Sequence, residues 1–295
     1  MHLAGTSKAQ TFMNLNGSTS SLTALRIALV QMAVAEEKTK NVERAVQLIE
    51  EAAGNDAQLV VLPECFNGPC SLSANTNYVE PVPGESTAPL GDAAKKFGVF
   101  VVGGSVQERE GDKIYNTCTV WGPQGNMLAK YRKMHLFDVN MPGELVSQES
   151  SFFTPGNTLT TFELPHCKIG LGICYDMRFP ETARLYAKLG CKVVLYPGAC
   201  SMVTGPDHWQ LLQRSRAIDN QVYVANVSPA RNTNHSFVTW GHSSIVNPWG
   251  EVIATCEEKE TIVYGDLDMD YVDKVRQMIP VLKQMRDDVY EVTAK

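Results

Sequence analysis

Apolar residues recur along the chain in two spacings, which predict strands alternating with helices. Short apolar or alternating runs predict the strands of the first half at 26–32, 57–63, 99–106, 114–121 and 126–132. A helix is predicted over 41–53, where Val42, Ala45 and Ile49 share one face and Gly54 ends the element. A second helix is predicted from Ser86 to Phe97.

The second half of the chain repeats this alternation. Its predicted strands are 158–164, 168–173, 192–197, 221–227, 243–248, 251–256 and 261–267. Its predicted helices run from Pro180 to Leu189, from Asp207 to Asp219, and from Asp270 onwards. Strands that alternate with helices, together with hairpin-like neighbours, indicate a mixed sheet covered by helices. The pattern therefore predicts one α/β domain.

Composition narrows the class of protein. The chain has 295 residues, of which 44% are hydrophobic, so it can bury a large core. The net charge of −6 argues against a nucleic-acid partner, because phosphate binding needs concentrated Lys and Arg. No apolar run reaches 18 residues, so no membrane span is expected.

The eight cysteines are scattered, without a CxxC pair or a zinc-finger spacing. We therefore expect reduced thiols, no disulfide, no metal and no cofactor, in a cytoplasmic protein for which the mitochondrion is a candidate additional location. Residues 1–24 are polar and contain no acid, which predicts a flexible leader. Both an untargeted tail and a mitochondrial transit peptide fit this composition, although Lys8 is its only basic residue other than histidine.

Candidate chemistry appears where three predicted strands end. Cys174 follows the apolar run 168–173, Glu64 follows 57–63, and Lys133 follows 126–132. Taken singly, each residue has a plain structural explanation. Cys174 can be a small buried hydrophobic residue, Glu64 a helix cap or a surface carboxylate, and Lys133 a solvated charge. A nucleophilic thiol, however, needs a base for its proton and a cation to hold developing charge. The three residues together match that requirement.

These residues and their surroundings resemble the nitrilase, or carbon–nitrogen hydrolase, superfamily. The resemblance rests on LPECF around Glu64, YRKMHLFD around Lys133 and GLGICYDMRF around Cys174, in the family's order. The segments YNTC, YPGA, TGPDHW and GHSSIVNPWG are similar to its Nit2-type omega-amidase branch. The resemblance implies a four-layer α-β-β-α sandwich over residues 25–270.

The resemblance also implies a mechanism. Glu64 would act as general base, Cys174 would form a thioester, and Lys133 with backbone N–H groups would stabilise the oxyanion. Glu64 is therefore expected in a partly desolvated pocket that raises its pKa, with Lys133 limiting the rise. The family's second glutamate corresponds by motif register to Glu149, with Glu144 as the local competitor.

The implied function is hydrolysis of the terminal amide of dicarboxylic acid monoamides, such as α-ketoglutaramate, α-ketosuccinamate and succinamate. Arg178 would grip the distal carboxylate, with Tyr175 and Thr204 as further substrate contacts. For Arg178 the alternative is a structural ion pair with Asp176 or Glu181. The branch usually carries an aromatic residue where this chain has Cys200, which leaves the preferred amide open.

Other interpretations are weaker or remain alternatives. A papain-like protease would need a histidine paired with the cysteine, and the sequence gives no histidine a motif that would pair it with Cys174. The run GLGICY begins like a dinucleotide-binding fingerprint but lacks its last glycine. Gly170 and Gly172 are instead expected to permit close backbone packing. The alternatives within reach are a deaminated-glutathione or carbamoyl-β-alanine type of amidase, a nitrilase, and a non-catalytic binding homologue. The resemblance further implies a homodimer, with residues 271–295 forming an arm that either crosses to the partner or packs on its own domain.

Overall fold

The computed structural model describes residues 24–70 and 76–295. The proposed leader therefore lies outside the described residues, except for Ala24, which begins the first strand. The helices are α1 Lys38–Gly54, α2 Ala88–Phe97, α3 Pro180–Lys188, α4 Gly205–Asn220 and α5 Met269–Met278. The first nine strands are β1 Ala24–Gln31, β2 Leu59–Val61, β3 Val79–Glu80, β4 Phe100–Val102, β5 Val106–Glu110, β6 Lys113–Trp121, β7 Met127–Arg132, β8 Asp138–Met141 and β9 Leu145–Gln148.

The remaining strands are β10 Thr160–Leu164, β11 Cys167–Leu171, β12 Cys191–Pro197, β13 Tyr223–Val227, β14 Ser244–Val246, β15 Val252–Thr255 and β16 Thr261–Asp268. One sheet has eight strands in the order β16-β1-β2-β4-β6-β5-β3, with β7 paired to β6. A second sheet has six strands in the order β10-β11-β12-β13-β14-β15. The hairpin β8–β9 forms a separate pair. In the second sheet the central pairs are parallel and the edge pairs antiparallel. In the first sheet β1, β2 and β4 are parallel, β16 is antiparallel to β1, β6 is antiparallel to β4 and to β5, and the edge pair β5–β3 is parallel.

Alternation along the strands builds three apolar layers. Ile27 and Leu29 of β1 belong to the same apolar cluster as Ile169 and Leu195 of the second sheet. Val30 points to the other face and belongs to the cluster that contains residues of α1 and α2. On the outer face of the second sheet, Tyr196 packs with α3 and α4. The order of layers is therefore helix, sheet, sheet, helix. The expected α/β class and four-layer sandwich are confirmed.

Several predicted boundaries were wrong. The strand predicted at 99–106 is two strands, β4 and β5, separated by a turn at Gly103 and Gly104. A Cβ on Gly104 would lie 2.0 Å from the carbonyl oxygen of Pro63, and the residue has φ +56°, so the chain turns here rather than continuing as a strand. The hairpin β8–β9 was not predicted, because its apolar positions are few and partly exposed.

The predicted close packing at two glycines is confirmed. A Cβ on Gly170 would lie 2.5 Å from the Tyr186 ring, and one on Gly172 would lie 2.5 Å from the Tyr196 ring. Two aromatic rings therefore lie directly on the backbone of β11 and the residues after it. Within the described residues, no helix has both the length and the apolar character needed to cross a bilayer.

Candidate active site

Glu64 lies in a tight turn directly after β2. The residue is 3% exposed, and the turn continues through Cys65, which has the left-handed φ of +56°. The Cys65 amide donates to the Ser105 hydroxyl, which follows the turn at Gly104. The contact between these two turns fixes the carboxylate at the carboxyl end of the parallel strand β2.

Cys174 lies in an equivalent place on the second sheet, just after β11. It begins a short 3-10 turn, Cys174–Arg178, and has φ +47°, a conformation that costs free energy in a residue other than glycine. The turn is held by Asp176, whose carboxylate accepts a hydrogen bond from the Ile173 amide at 2.8 Å. This sharp change of direction brings the thiol out of the sheet and into a cleft.

Lys133 and Glu149 come from the end of β7 and the end of β9. The Lys133 amide continues the pairing with β6 by donating to Asn116, and its side chain is 1% exposed. Glu149 is held by the Phe137 amide, which donates to its carboxylate at 2.8 Å. Glu144, the competitor for this role, is exposed in the turn of the hairpin. The structure therefore brings Glu149, and not Glu144, to Lys133.

The charged groups converge on the Lys133 ammonium. Its Nζ lies 3.0 Å from Glu64 Oε1 and 3.0 Å from Glu149 Oε2. A buried ammonium between two carboxylates is a stable arrangement, because each charge is paired and hydrogen-bonded. With the lysine charged and both carboxylates ionised, the three groups carry a net charge of −1.

The pKa values of the three central groups follow from this arrangement. Burial raises the pKa of Glu64, while the charge of Lys133 and hydrogen bonds from Lys133 and Cys174 oppose the rise. Burial would lower the pKa of Lys133, but the charges of Glu149, Glu64 and Cys174 raise it well above its usual range. Burial and the Glu64 charge raise the pKa of Cys174 well above its usual range. These shifts therefore favour a neutral Cys174 thiol and a charged Lys133 ammonium.

All seven sequence-predicted residues line one cleft with about 780 Å³ of empty space, including its open mouth. The cleft is lined by Glu64, Lys133, Glu149, Cys174, Tyr175, Arg178 and Thr204, together with Cys65, Cys70, Gln107, Asn116, Phe137, Phe153, Met177, Ala199, Cys200, Ser201, Trp209, Leu212 and Phe237. The carboxylates, the ammonium and the Cys174 thiol lie deep in the cleft, and aromatic side chains contribute to its walls.

Arg178 is half-buried and lines the cleft beside Tyr175, whose ring centroid is 5.7 Å from the guanidinium carbon. Its Nη1 lies 3.2 Å from His208 Nδ1. Among the ion pairs of residues 24–70 and 76–295, none joins Arg178 to Asp176 or Glu181. Within those residues the structure therefore does not contain the alternative of a structural ion pair, and Arg178 lines the cleft.

Thr204 and Cys200 lie side by side in the wall of the cleft. The Thr204 hydroxyl is 3.3 Å from Cys200 Sγ and 3.4 Å from Ser201 Oγ, where it precedes the first turn of α4. Burial raises the pKa of the Cys200 thiol. Where an aromatic ring was expected from the resemblance, the chain therefore presents a small neutral sulfhydryl.

Two sets of residues at the site were missed in the sequence. Asn116, in β6, donates from Nδ2 to Glu64 Oε1 at 2.9 Å. A polar amide in the middle of the apolar strand 114–121 was the available signal.

The second missed set centres on Asp176, which is 1% exposed. Its carboxylate accepts from the Tyr131 hydroxyl at 2.7 Å and from the His135 amide at 2.9 Å, and it lies 2.7 Å from His135 Nδ1. Tyr131 and His135 flank Lys133 in sequence. Asp176 therefore links the turn that holds the thiol to the segment that holds the ammonium.

Chemically, the cleft combines a sulfur nucleophile, a carboxylate that can take its proton, and an ammonium that can hold negative charge. This combination suits attack on an acyl carbon. Within the described residues, no group of three His, Cys, Asp or Glu side chains is arranged to hold a metal ion.

Comparison with known proteins gives a consistent result. The model of the carbon-nitrogen hydrolase family matches residues 26–277. Omega-amidase NIT2 of Danio rerio is 53% identical over 92% of this chain and 99% of that protein, and omega-amidase NIT2 of Homo sapiens is 52% identical over 93% and 99%. The crystal structure of Saccharomyces cerevisiae Nit3, a member of branch 10 of the nitrilase superfamily, superposes with a TM-score of 0.81 at 42% identity, covering 90% of this chain and 97% of that one.

Proposed function

Because the chain belongs to the carbon-nitrogen hydrolase family, we propose that it is an omega-amidase. Its reaction is hydrolysis of the terminal amide of a dicarboxylic acid monoamide to the dicarboxylate and ammonia. The class of substrate follows from the curated relatives, which carry that activity in their names at 52–53% identity over nearly their whole length. α-Ketoglutaramate, α-ketosuccinamate and succinamate are the substrates to compare.

In the proposed first step, Glu64 takes the proton of Cys174 and the sulfur attacks the carbon of the amide. The hydrogen bond between the thiol and Glu64 supports this transfer, as does the raised pKa of Glu64, which makes it a better base near neutral pH. The carbon–sulfur bond forms, the carbon–nitrogen bond breaks, and the nitrogen takes the proton from Glu64 and leaves as ammonia.

In the proposed second step, water activated by Glu64 attacks the thioester. The new carbon–oxygen bond replaces the carbon–sulfur bond, and the sulfur recovers its proton through Glu64. Product and enzyme are then restored without any other reagent. Glu64 therefore acts as base, then acid, in one half of the cycle and repeats both roles in the other.

Lys133 is proposed to stabilise the negative oxygen that forms in each step. An ammonium has three N–H donors, and the two carboxylates engage two of them, which leaves one for the substrate. Backbone N–H groups after Cys174 would provide further donors. Removing one such donor typically lowers the rate about 10²–10³-fold. Glu149 is proposed to hold the lysine in place.

Substrate selection is proposed to come from the other end of the cleft. Arg178 would bind the distal carboxylate, since a guanidinium can donate two parallel hydrogen bonds to a carboxylate. Tyr175 is proposed to support Arg178 and the substrate chain, and Thr204 to contribute a hydroxyl.

The observation that carries this proposal is the convergence of Glu64, Lys133 and Cys174 in one cleft from three separate strand ends. The test is ammonia release by purified protein from the three monoamides, with glutamine, a nitrile, carbamoyl-β-alanine and deaminated glutathione as competing substrates. We expect the monoamides to be preferred and Cys174→Ala to abolish turnover. Cys256→Ala, a thiol outside the cleft, is the matched control. Wild-type ammonia release by Cys174→Ala would refute the nucleophile.

We also propose that the chain forms a homodimer. Helix α4 exposes Leu211 and Ile218, one above the other on its outer face, and Trp249 is exposed as well. Leu211→Glu with Ile218→Glu should shift the mass measured by light scattering from dimer to monomer. Within one chain, the Lys188 ammonium donates to the Val292 carbonyl. The role of residues 271–295 at an interface stays a prediction, as does the division of the chain into 25–270 and 271–295.

The compartment is proposed from the thiols. All eight cysteines are free, which is typical of reducing compartments, so the cytoplasm is favoured and the mitochondrion is a candidate additional location. Fractionation of cells that express the whole chain, with and without residues 1–24, tests this assignment.

A further inference from the structure

Two cysteines that line the cleft are in contact with each other beside Glu64. Cys65 follows Glu64 directly, and Cys70 lies five residues further along the same loop. The Cys70 thiol hydrogen-bonds the Cys65 thiol, and Cys70 Sγ also lies 3.8 Å from the backbone oxygen of Glu64. Within the loop, the Gly68 amide donates to the Cys65 carbonyl at 3.2 Å. The fold of this loop therefore holds two sulfur atoms together next to the proposed base.

Both thiols are within reach of a reagent from solvent. Cys65 and Cys70 are half-buried and line a cleft with an open mouth, whereas Cys118, Cys167 and Cys191 are buried. A thiol that is accessible and lies against a second thiol has the arrangement of a redox-sensitive pair. The loop therefore combines the two conditions that oxidation to a disulfide requires, access and a nearby partner.

We propose that Cys65 and Cys70 form a modification site, at which a low-molecular-weight disulfide oxidises them to an intramolecular disulfide that lowers turnover. The Cys65 sulfur attacks the small disulfide RSSR, forms a bond to one RS group and releases the other as RSH. The Cys70 sulfur then attacks this mixed disulfide at Cys65, forms the bond between the two cysteines and releases the second RSH. The protons of the two protein thiols end on the two RSH molecules. Two protein thiols are oxidised and one RSSR is reduced, so atoms and electrons balance.

The order of attack follows from the contact between the two sulfur atoms. The hydrogen bond with Cys65, followed by burial, raises the pKa of the Cys70 thiol well above its usual range. Cys70 therefore keeps its proton while the pair is reduced, and Cys65 makes the first attack. Once the Cys65 sulfur is part of a mixed disulfide it can no longer become negatively charged. Its charge then ceases to oppose ionisation of Cys70, which is free to make the second attack.

The other two thiols of the cleft have different neighbours. Cys174 hydrogen-bonds the Glu64 carboxylate, and Cys200 Sγ lies 3.3 Å from the Thr204 hydroxyl. A carboxylate or a hydroxyl cannot displace RSH from a mixed disulfide, because the second attack needs a sulfur nucleophile. Reaction at these two positions would therefore stop at an added RS group. The difference in mass between the two kinds of product distinguishes them.

The effect on turnover comes from the position of Glu64, and this part of the inference rests on the proposed function. A disulfide bond is about 2.0 Å long, which is shorter than any hydrogen-bonded contact between two sulfur atoms. Its formation draws Cys65 and Cys70 together and removes the thiol hydrogen that faces the Glu64 carbonyl. A displacement of about 1 Å in a catalytic arrangement can lower the rate about 100-fold. We therefore expect kcat/KM for succinamate to fall at least about 10-fold.

The first measurement is the mass of one peptide and needs no variant. Reduced wild-type protein is freed of reductant, exposed to 2-hydroxyethyl disulfide, treated with N-ethylmaleimide and digested with trypsin. No Lys or Arg lies between Arg44 and Lys95, so Cys65 and Cys70 fall on the single peptide 45–95. We expect this peptide to be lighter than its reduced form by two hydrogen atoms and to carry no label. A peptide with two labels, or with added RS groups, would overturn the inference.

The second measurement is activity after oxidation divided by activity before it, so that each variant is its own reference. We expect this ratio to fall at least about 10-fold in wild type and to return within about twofold of its starting value with dithiothreitol. Cys70→Ser cannot form the disulfide and should stay within about twofold of its reduced activity. Cys256→Ser, the same change outside the cleft, should behave as wild type. If Cys70→Ser does not fold, Cys65→Ser replaces it.

The outcomes separate this inference from the proposed function. Equal losses in wild type and Cys70→Ser would place the damage at Cys174 and refute the proposed switch, as would a disulfide that leaves wild-type activity unchanged. Absence of ammonia release from every monoamide by the reduced protein would refute the proposed function and, with it, the effect on turnover. The peptide mass would still decide whether the modification site exists.

Discussion

Replacing Glu149 by glutamine removes one of the two carboxylates that hold Lys133 while keeping the size of the side chain. The amide oxygen of glutamine can still accept from the Phe137 amide, so the loop keeps its anchor. What is lost is the negative charge, together with the contact of the other oxygen, Oε1, at 3.1 Å from an ammonium that is 1% exposed. Lys133 keeps its contact with Glu64 at 3.0 Å.

The size of the effect follows from that single contact. A hydrogen bond to a charged group contributes about 1.5–3 kcal/mol. If the contact holds Lys133 in its catalytic position, kcat should fall about 10- to 100-fold, because about 1.4 kcal/mol corresponds to a factor of ten in rate. The direction of the pH effect is also fixed. The charge of Glu149 raises the pKa of Glu64, so removing it lowers that pKa and keeps the proposed base ionised at lower pH.

The assay is ammonia release from succinamate as a function of pH for wild type, Glu149→Gln and Glu144→Gln. Glu144→Gln is the matched control, since it makes the same chemical change on the exposed turn of the same hairpin. We expect it to behave as wild type, while Glu149→Gln shows a lower kcat and an acid limb of kcat/KM moved to lower pH. An acid limb moved to higher pH, or equal losses in both variants, would refute the reasoning.

Three other changes test separate parts of the structure. Arg178→Met should lower kcat/KM for succinamate about 10- to 100-fold and leave the neutral amide butyramide unaffected; equal losses on both would exclude an anion grip. Gly170→Ala puts a Cβ 2.5 Å from the Tyr186 ring and should lower the free energy of unfolding in urea by about 1–3 kcal/mol. Burial would raise the pKa of Glu108, but hydrogen bonds from Arg132 and two neighbouring side chains lower it to about 2. The wild type should therefore melt above Glu108→Gln at pH 5, and the difference should shrink as pH falls from about 4 to 2.

The sequence was sufficient for the fold class and for the residues whose positions depend on strand ends. Glu64 and Cys174 each follow a parallel strand, and the carboxyl ends of such strands gather side chains at one edge of a sheet. The four-layer sandwich and the resemblance to the carbon–nitrogen hydrolases were confirmed by the structure and by the family match. The catalytic roles of these residues stay predictions until they are measured.

Residues whose positions depend on contacts between distant segments could not be derived in this way. Asn116 is one polar residue within a buried strand, and nothing in its neighbourhood states which face it occupies relative to Glu64. Asp176 looked like part of a charged cluster with Arg178, yet its carboxylate contacts Tyr131 of β7 and His135 of the segment that follows β7. Such pairings are set by how the two sheets stack, and local periodicity carries no information about that register.

The proposed catalytic side chains lie at the edge of the apolar layer between the two sheets. Glu64 and Lys133 follow strands of one sheet and Cys174 follows a strand of the other, so neither half of the polypeptide carries all three side chains. A chain cut between Glu149 and Thr160 would leave the carboxylate and the ammonium on one fragment and the sulfur on the other. Recovery of turnover on mixing such fragments would show that the two sheets have reassociated. Substrate hydrolysis would then measure how much of the sandwich has formed.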